Sequence, residues 1–411
     1  MAGGPRWDRR NVLRTGAAAL GGAGVGWSGS AALAATASPP SADAPTSVVG
    51  PSAGSETAPA VGRHQAGIAT PPQAHLALVG WDLRDGSGAG ELVRMMRLLS
   101  DDTAQLAAGR PALADTEPDL AGHPSRLTAT FGFGPRVLRE LVPADRRPPL
   151  AELPSFSRDR LEPAWGQTDV VAQVCSDDPL TLAHARRMLL KDARPFADVR
   201  WIQHGFRTAR GTAPPGTTMR NLMGQVDGTV NPTEADPDFA SLVWASTPAS
   251  YDGGSFLVVR RIRMQLDRWD RVDRAGREGI VGRRLDSGAP LTGVTELDEP
   301  DLAATDRFGF PVIDPASHIA RARSTDPAER FLRRAYNYTL PDPRRSTGED
   351  SGLVFLAYAA DPARQFVPVQ QRLDDLDRLN EWVTTIGSAV YAVPPAAPEG
   401  GFTGQSLLEE S

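Results

Sequence analysis

From residue 75 to residue 83 the chain alternates, with Leu76, Leu78 and Gly80 on one side and Ala77, Val79, Trp81 and Leu83 on the other, which predicts a β-strand. Residues 89–106 change period: Leu92, Met95, Met96 and Leu99 recur at helical spacing. Residues 127–133 and 170–175 read again as strands. Asp178-Pro179 is a good cap and first-turn pair for a helix running to residue 190, and residues 199–206 read as a last strand. The order is βαββαβ. This is the split-βαβ, ferredoxin-like unit, an antiparallel sheet with both helices on one face.

The second half repeats the pattern less clearly. Residues 256–264 and 353–358 are strand candidates, and residues 371–386 read as a helix ending at Gly387. Long Pro/Gly/Asp-rich segments lie between them, and loops of that length inside a compact domain are usually functional. The expected organisation is a leader at 1–37, a flexible linker at 38–61, an N-terminal ferredoxin-like half at 62–222 and a C-terminal half at 223–411. The fold class expected is α+β.

With 411 residues, 40% of them hydrophobic, the chain can bury one large core or two smaller ones. A net charge of −6 gives no general attraction to nucleic acid or to anionic membrane. The one cysteine, Cys175, excludes an internal disulfide. Arg9-Arg10-Asn11-Val12-Leu13-Arg14 is a twin-arginine pattern. It precedes a mild Gly/Ala-rich apolar stretch and two Ala-x-Ala sites, at Ala32-Leu33-Ala34 and Ala35-Thr36-Ala37. That stretch is too short and glycine-rich to span a bilayer, which takes ~20 strongly apolar residues. Export of the folded chain by the twin-arginine machinery to the periplasm, cell envelope or medium is expected, with no stable membrane span. The oligomeric state stays open.

Candidate chemistry gathers at Gly224-Gln225-Val226-Asp227-Gly228-Thr229-Val230-Asn231, where one carboxylate sits between glycines that allow a sharp turn and close approach to a flat ligand. Asp-Gly is also a common turn dipeptide, so alone the pattern is weak. Six histidines are present (His64, His75, His123, His184, His204 and His318), and spacing does not choose a metal ligand among them. No Cys-x-x-Cys-His is present, so any haem would be non-covalent. There is no Gly-rich phosphate loop, no His-Glu-x-x-His and no Gly-x-Ser-x-Gly.

The 224–231 stretch resembles the Gly-x-x-Asp-Gly motif of the dye-decolourising (DyP-type) peroxidases, followed there by Thr and Asn. Further blocks of that family's exported A-type branch are matched by His64-Gln65-Ala66-Gly67-Ile68, Phe131-Gly132-Phe133-Gly134-Pro135, Asp252-Gly253-Gly254-Ser255-Phe256, Gly282-Arg283-Arg284 and Ser317-His318-Ile319. Phe331-Leu332-Arg333-Arg334-Ala335-Tyr336, Arg364-Gln365-Phe366-Val367-Pro368 and Leu379-Asn380-Glu381-Trp382 continue the series in the same order. The resemblance implies two ferredoxin-like halves with one non-covalent haem b held mainly by the second, and His318 as its axial iron ligand. Gly228, Thr229 and Val230 would line the haem, and Arg321 and Arg323 would be candidates for its propionates.

Asp227 would shuttle a proton between the two oxygens of hydrogen peroxide, and Arg333 would stabilise the charge that develops as they separate. Arg333 follows Phe331-Leu332 as the family's distal arginine follows its apolar pair; the adjacent Arg334 points the other way on an extended chain. An acid pairing with His318 is expected among Asp374, Asp375, Asp377 and Glu381, and the family's spacing selects Asp377. Trp269, Tyr336 and Tyr338 lie near these motifs and read first as core. The implied activity is peroxide-driven oxidation of organic donors such as phenols or dyes, favoured in acid. A deferrochelatase, releasing iron from haem with the porphyrin intact, and a non-catalytic haem carrier are the alternatives.

Overall fold

The computed structural model describes residues 53–58, 62–345 and 347–409. The twin-arginine segment and its Ala-x-Ala sites lie outside them. In chain order the N-terminal half contains β1 (His75–Leu83), α1 (Ala89–Ala107), β2 (Thr128–Phe133), α2 (Pro135–Leu141), β3 (Val170–Ser176), α3 (Pro179–Ala193) and β4 (Ala197–Phe206). After α4 (Phe239–Val243) come β5 (Ser255–Met264), α5 (Leu266–Trp269), α6 (Arg274–Val281), α7 (His318–Ala322), β6 (Leu332–Arg333), β7 (Tyr336–Pro341) and β8 (Glu349–Ala359). The chain then closes with α8 (Pro362–Leu376), β9 (Val383–Val393) and α9 (Gln405–Leu408).

All strand pairings are antiparallel, in the order β5-β9-β2-β3-β1-β4-β7-β8-β6, and an added β5–β8 pairing closes the sheet into a barrel. The seams are narrow. Phe133 opposite Ala392 joins β2 to β9, and Phe206 opposite Asn337 joins β4 to β7. Each four-stranded part, β4-β1-β3-β2 and β7-β8-β5-β9, has the strand order of a ferredoxin-like unit, so the α+β class read from the sequence is the one observed.

The alternation along β1 sorts its side chains between two cores. Ala77, Val79, Trp81 and Leu83 pack under α1 and α3 with Leu92, Met95, Met96 and Leu99. Leu76 and Leu78 face the barrel interior, where they meet Leu257, Val259, Tyr336 and Tyr391 of the second half. Asp178 caps α3, accepting from the Thr181 amide at 2.7 Å. The outer face of the C-terminal sheet is covered differently. α8 lays Phe366 on Val258 and Ala357, while the long connection from β5 to β7, which replaces the first crossover helix of a simple ferredoxin unit, packs Trp269, Ile280 and Val281 against Met264 and Leu353.

Two sequence expectations fail. The predicted helix over 371–386 ends at Leu376, a 3-10 turn covers Arg378–Glu381, and β9 begins at Val383. Its sequence, VTTIGSAVYAV, is rich in β-branched residues and pairs with β5 from Ser255 to Met264, so sheet pairing overrides the helical spacing of the preceding apolar residues. Part of the expected linker is also fixed: Gly54 and Glu56 carbonyls accept from the Ser125 and Arg126 amides, and Glu56 pairs with Arg210. Composition cannot show such docking, because backbone groups make most of it.

Between α1 and α3, Asp192 sits beside Asp102 with its Oδ2 buried and unpartnered. Burial first, and the neighbouring carboxyl second, push Asp192 up to about 8 from an ordinary 3.8. An acid raised in the folded state contributes stability below its unfolded pKa and loses it as pH rises through the folded one. The contribution is therefore full near pH 4 and gone above pH 8. Asp192→Asn is expected to raise the thermal midpoint at pH 8 by about 2–4 °C and to leave it unchanged at pH 4, measured by calorimetry.

Candidate active site

The 219–231 segment is a small hairpin folded back on itself. Arg220 bridges Val226, the Asp227 amide donates to the Met219 carbonyl at 2.8 Å, and Gly224 turns the chain with a φ of 81°. Gly228 continues at a φ of 130°, a conformation that side-chain-bearing residues rarely adopt. The Arg220 guanidinium ties this hairpin to the carbonyls of Leu285 and Asp286, each at 2.6 Å. Asp227 is thereby fixed at the mouth of a turn.

Arg333 arrives on β6, where period-two alternation separates its neighbours. Leu332 and Arg334 point into the barrel, with Leu332 in its apolar core and the Arg334 guanidinium bonded to Thr70 and Gln73. Arg333 and Ala335 point to the opposite side, over the apolar cluster of the C-terminal half. There the Arg333 Nη1 lies 3.4 Å from the Asp227 Oδ1. Asn231 fixes the backbone of Arg333 from both ends: its Nδ2 donates to the Arg333 carbonyl at 2.8 Å, and its Oδ1 accepts from the Arg333 amide at 2.7 Å.

His318 begins α7. The preceding helix α6 ends at Gly282, left-handed at a φ of 88°, and a Cβ there would come within 2.7 Å of the Ile319 Cγ1. Glycine thus lets Ile319 pack down and sets the adjacent imidazole. The His318 Nδ1 is 2.6 Å from the Asp377 Oδ2. The other Asp377 oxygen accepts from the Leu379 amide at 2.9 Å and caps the 3-10 turn, which orients the carboxylate. The remaining acids are placed elsewhere: Asp374 accepts from the Ser157 and Arg158 amides, Asp375 from Gln371, and Glu381 ends the 3-10 turn that Asp377 caps.

Burial opposes charge on the His318 imidazole, but Asp377 outweighs it and the pKa is raised; Asp227 and Arg333 are close enough to act on the same ring. Although the ring lies deep in the protein, 32% of its side chain remains accessible, and its Nε2 bonds no group among the described residues. That nitrogen is therefore left available to a ligand. Ile319, the next residue in α7, packs with Ile262, Phe355 and Leu379, all only partly buried, against the apolar cluster of the C-terminal half. A free imidazole nitrogen, an anionic partner behind it and apolar walls fit a haem.

The other histidines are committed or sited differently. His64 stacks on Trp244 at 3.7 Å, and His204 bonds Arg186. His184 also meets an acid, Asp115 at 2.9 Å, but is 2% exposed on its side chain and has no room for a ligand. Trp269, Tyr336 and Tyr338 are fully buried core residues.

Of the remaining predicted residues, Thr229 donates to Glu296 at 2.9 Å, and Val230 is 53% exposed. Arg321 donates to the Arg372 carbonyl at 3.2 Å, and Arg323 pairs with Glu299. The structure also gives surroundings to residues for which motif reading assigned no role. Burial lowers the Arg283 pKa, and Arg333 and Arg323, both near it, act in the same direction against Glu296. Asn231 belongs to the matched motif without a role having been read for it, and Asn221 carries no sequence signal beyond its proximity to Asp227.

The site thus defines the class as haem proteins of α+β fold. Family models described as Dyp-type peroxidase match residues 65–207 (N-terminal) and 218–398 (C-terminal), and the chain belongs to the DyP-type peroxidase family. It is 38% identical to a dye-decolorizing peroxidase of Thermobifida fusca, over 98% of this chain and 97% of that one. A deferrochelatase of Yersinia pestis is 33% identical over 85% of each chain. The crystal structure of a DyP-type peroxidase from Cellulomonas bogoriensis superimposes with a TM-score of 0.83 at 51% identity, covering 87% of this chain and 99% of that one. The chain is accordingly a haem-dependent peroxidase that uses hydrogen peroxide and an organic donor.

Proposed function

We propose that His318 would hold the iron of one haem b through its Nε2 and that Asp227 and Arg333 would activate hydrogen peroxide beside it. The observation that carries this is the convergence of an open imidazole nitrogen backed by Asp377 with an Asp227–Arg333 pair within electrostatic reach of the same ring. Bound there, the haem supplies the redox chemistry, giving two electrons to peroxide and recovering them singly from two donor molecules.

The protein's share is proton handling and charge. Asp227 takes the proton from the near oxygen of hydrogen peroxide and gives it to the far one, so that the O–O bond breaks with loss of water. Arg333 stabilises the negative charge that builds on the departing oxygen. Asp377 accepts from the His318 Nδ1–H, which fixes the tautomer and leaves the Nε2 lone pair free for iron. The Gly228-Thr229-Val230 backbone, which continues from Asp227, would lie against the haem when it is bound. Arg321 and Arg323 would be the residues to meet the haem's carboxylates, Arg323 on releasing its present partner Glu299.

Phenols and dyes are the proposed donors, on the likeness to the Thermobifida fusca enzyme. The likeness to deferrochelatases supports a second reading, iron release with the porphyrin intact. Residues 9–14 support export by the twin-arginine route to the periplasm, envelope or medium. Among the described residues no helix is long and apolar enough to cross a membrane.

The test is an absorption spectrum of the haem-loaded protein before and after one equivalent of hydrogen peroxide. The Soret band is expected to change at once and to return when a phenol or dye is added, with the dye oxidised. A Soret band indifferent to peroxide, with strongly fluorescent metal-free porphyrin accumulating, would replace the peroxidase reading with the iron-release one.

A further inference from the structure

Asn221 lies on the hairpin that carries Asp227, six residues before it, and both ends of its side chain are engaged. The Oδ1 accepts two backbone amides of the turn, from Met223 at 3.0 Å and from Gln225 at 3.2 Å. The Nδ2 faces the Asp227 Oδ2 at 3.4 Å. An amide flip would set the NH2 group against two N–H donors, so the network permits one orientation only, and it aims the donor at the carboxylate. The backbone of Asn221 holds the same turn: its amide donates to the Gln225 carbonyl at 3.0 Å, and its carbonyl accepts from Gly224 at 2.9 Å. The side chain cannot swing away without undoing the hairpin.

Among the described residues each oxygen of Asp227 is thus met by a single donor at the same long distance, Oδ2 by Asn221 and Oδ1 by Arg333. The carboxylate is oriented from both sides without being locked into a tight ion pair, which leaves it able to take and return a proton. We infer that Asn221 is a positioning residue for Asp227, holding the carboxylate in its proton-accepting orientation and supporting its charge. This rests on the role proposed above for Asp227. The other groups that bear on that carboxylate are Arg333 from β6, Arg207 following β4 and His318 from α7, with Glu296 close by, bound to the hydroxyls of Thr218 and Thr229.

Asn221→Asp separates the two ends of the side chain. A carboxylate still accepts the Met223 and Gln225 amides, so the turn is kept, but the donor to Asp227 is lost and a like charge replaces it. Two carboxylates so close do not ionise together until the pH is raised. The variant is expected to shift the acid limb of the peroxide kcat/KM profile upward by about one pH unit, a roughly tenfold loss on that limb, with the KM for dye unchanged.

An equilibrium readout accompanies it. Fluoride binds ferric haem together with a proton, so its affinity against pH, read from the Soret band without turnover, is expected to shift by the same amount. If Asn221→Asp does not fold, Asn221→Ser takes its place: it keeps an acceptor for the turn but is too short to reach Asp227. In that variant a severalfold lower kcat for peroxide oxidation is expected, with the KM for dye unaltered. Wild-type pH profiles for both turnover and fluoride in Asn221→Asp, or wild-type kcat in Asn221→Ser, would overturn the inference. Asp227→Asn run in parallel separates the two ideas: full activity there defeats the Asp227 role itself, whereas loss there with a wild-type Asn221 variant defeats only the positioning role.

Discussion

Asp227→Asn is expected to lower kcat/KM for hydrogen peroxide by about 10²–10⁴-fold, the usual range for removing a general acid–base group, while haem content and the resting Soret band stay as in the wild type. The substitution changes almost nothing else. Asparagine has the shape of aspartate, and the Asp227 amide keeps its bond to the Met219 carbonyl, so the hairpin is retained. The lost contact to Arg333 is 3.4 Å long between side chains that are 28% and 17% exposed, and such a pair contributes on the order of 1 kcal/mol or less to stability. Arg333 itself stays, because Asn231 holds its backbone from both ends. What the amide cannot do is accept a proton near neutral pH and return it. The deficit should therefore appear in the peroxide step and be absent from the binding of donor, which steady-state kinetics at varied peroxide and varied dye would separate. Full activity with bound haem would remove Asp227 from the mechanism and leave Arg333 as the principal distal group.

The first half was the more legible in the sequence, for a physical reason. Its helices α1 and α3 and strands β1 to β4 each bury one regular face, so period and turn residues mark them clearly, and Asp178 caps the predicted helix as expected. The second half spends its first crossover on the segment between β5 and β7, in which α5, α6 and α7 are four, eight and five residues long. Elements that short carry no readable period. Their placement comes from tertiary contacts such as Ile319 against Gly282. Residues 371–386 show the opposite failure, apolar spacing of helical type that continues into a chain whose backbone is claimed by β5.

Motif resemblance picked out Asp227, His318 and Arg333, which lie in blocks with fixed neighbours, and the fold brings the three side chains within electrostatic reach of one another. It left two choices to geometry. Period-two alternation on β6 sends Arg334 into the barrel and Arg333 to the side of Asp227, and the 3-10 turn after α8 brings Asp377 to the imidazole while Asp374 is spent on the Ser157 and Arg158 amides. Asn221 was silent, and Asn231 was matched without a role, because what they do lies in which backbone groups they bind, and no residue count reveals that.

His318→Ala is expected to abolish stable haem binding, reducing occupancy of the purified protein by at least about tenfold, since loss of a partner behind a ligand alone commonly costs 10–100-fold in metal affinity. The argument follows from what surrounds the ring. The walls nearby are apolar, and among the described residues no other histidine pairs an accessible ring nitrogen with an acid behind it. Truncation would also strand the Asp377 Oδ2, 4% exposed on its side chain, with no donor, although the Leu379 amide would still hold Oδ1. Asp377→Asn should behave differently and so isolates the charge. The amide oxygen still accepts the Nδ1–H of His318, which keeps the tautomer and the ring position, but the imidazole loses the anion that makes it electron-rich. Haem should remain bound, and the ferric/ferrous potential, measured by spectroelectrochemical titration, should rise above that of the wild type, because ferric iron loses more than ferrous iron when a negative charge behind its ligand is removed. Full haem occupancy in His318→Ala, with an unchanged potential in Asp377→Asn, would move the axial role to another side chain and leave the buried His318–Asp377 pair as a structural tie between α7 and the turn that follows α8.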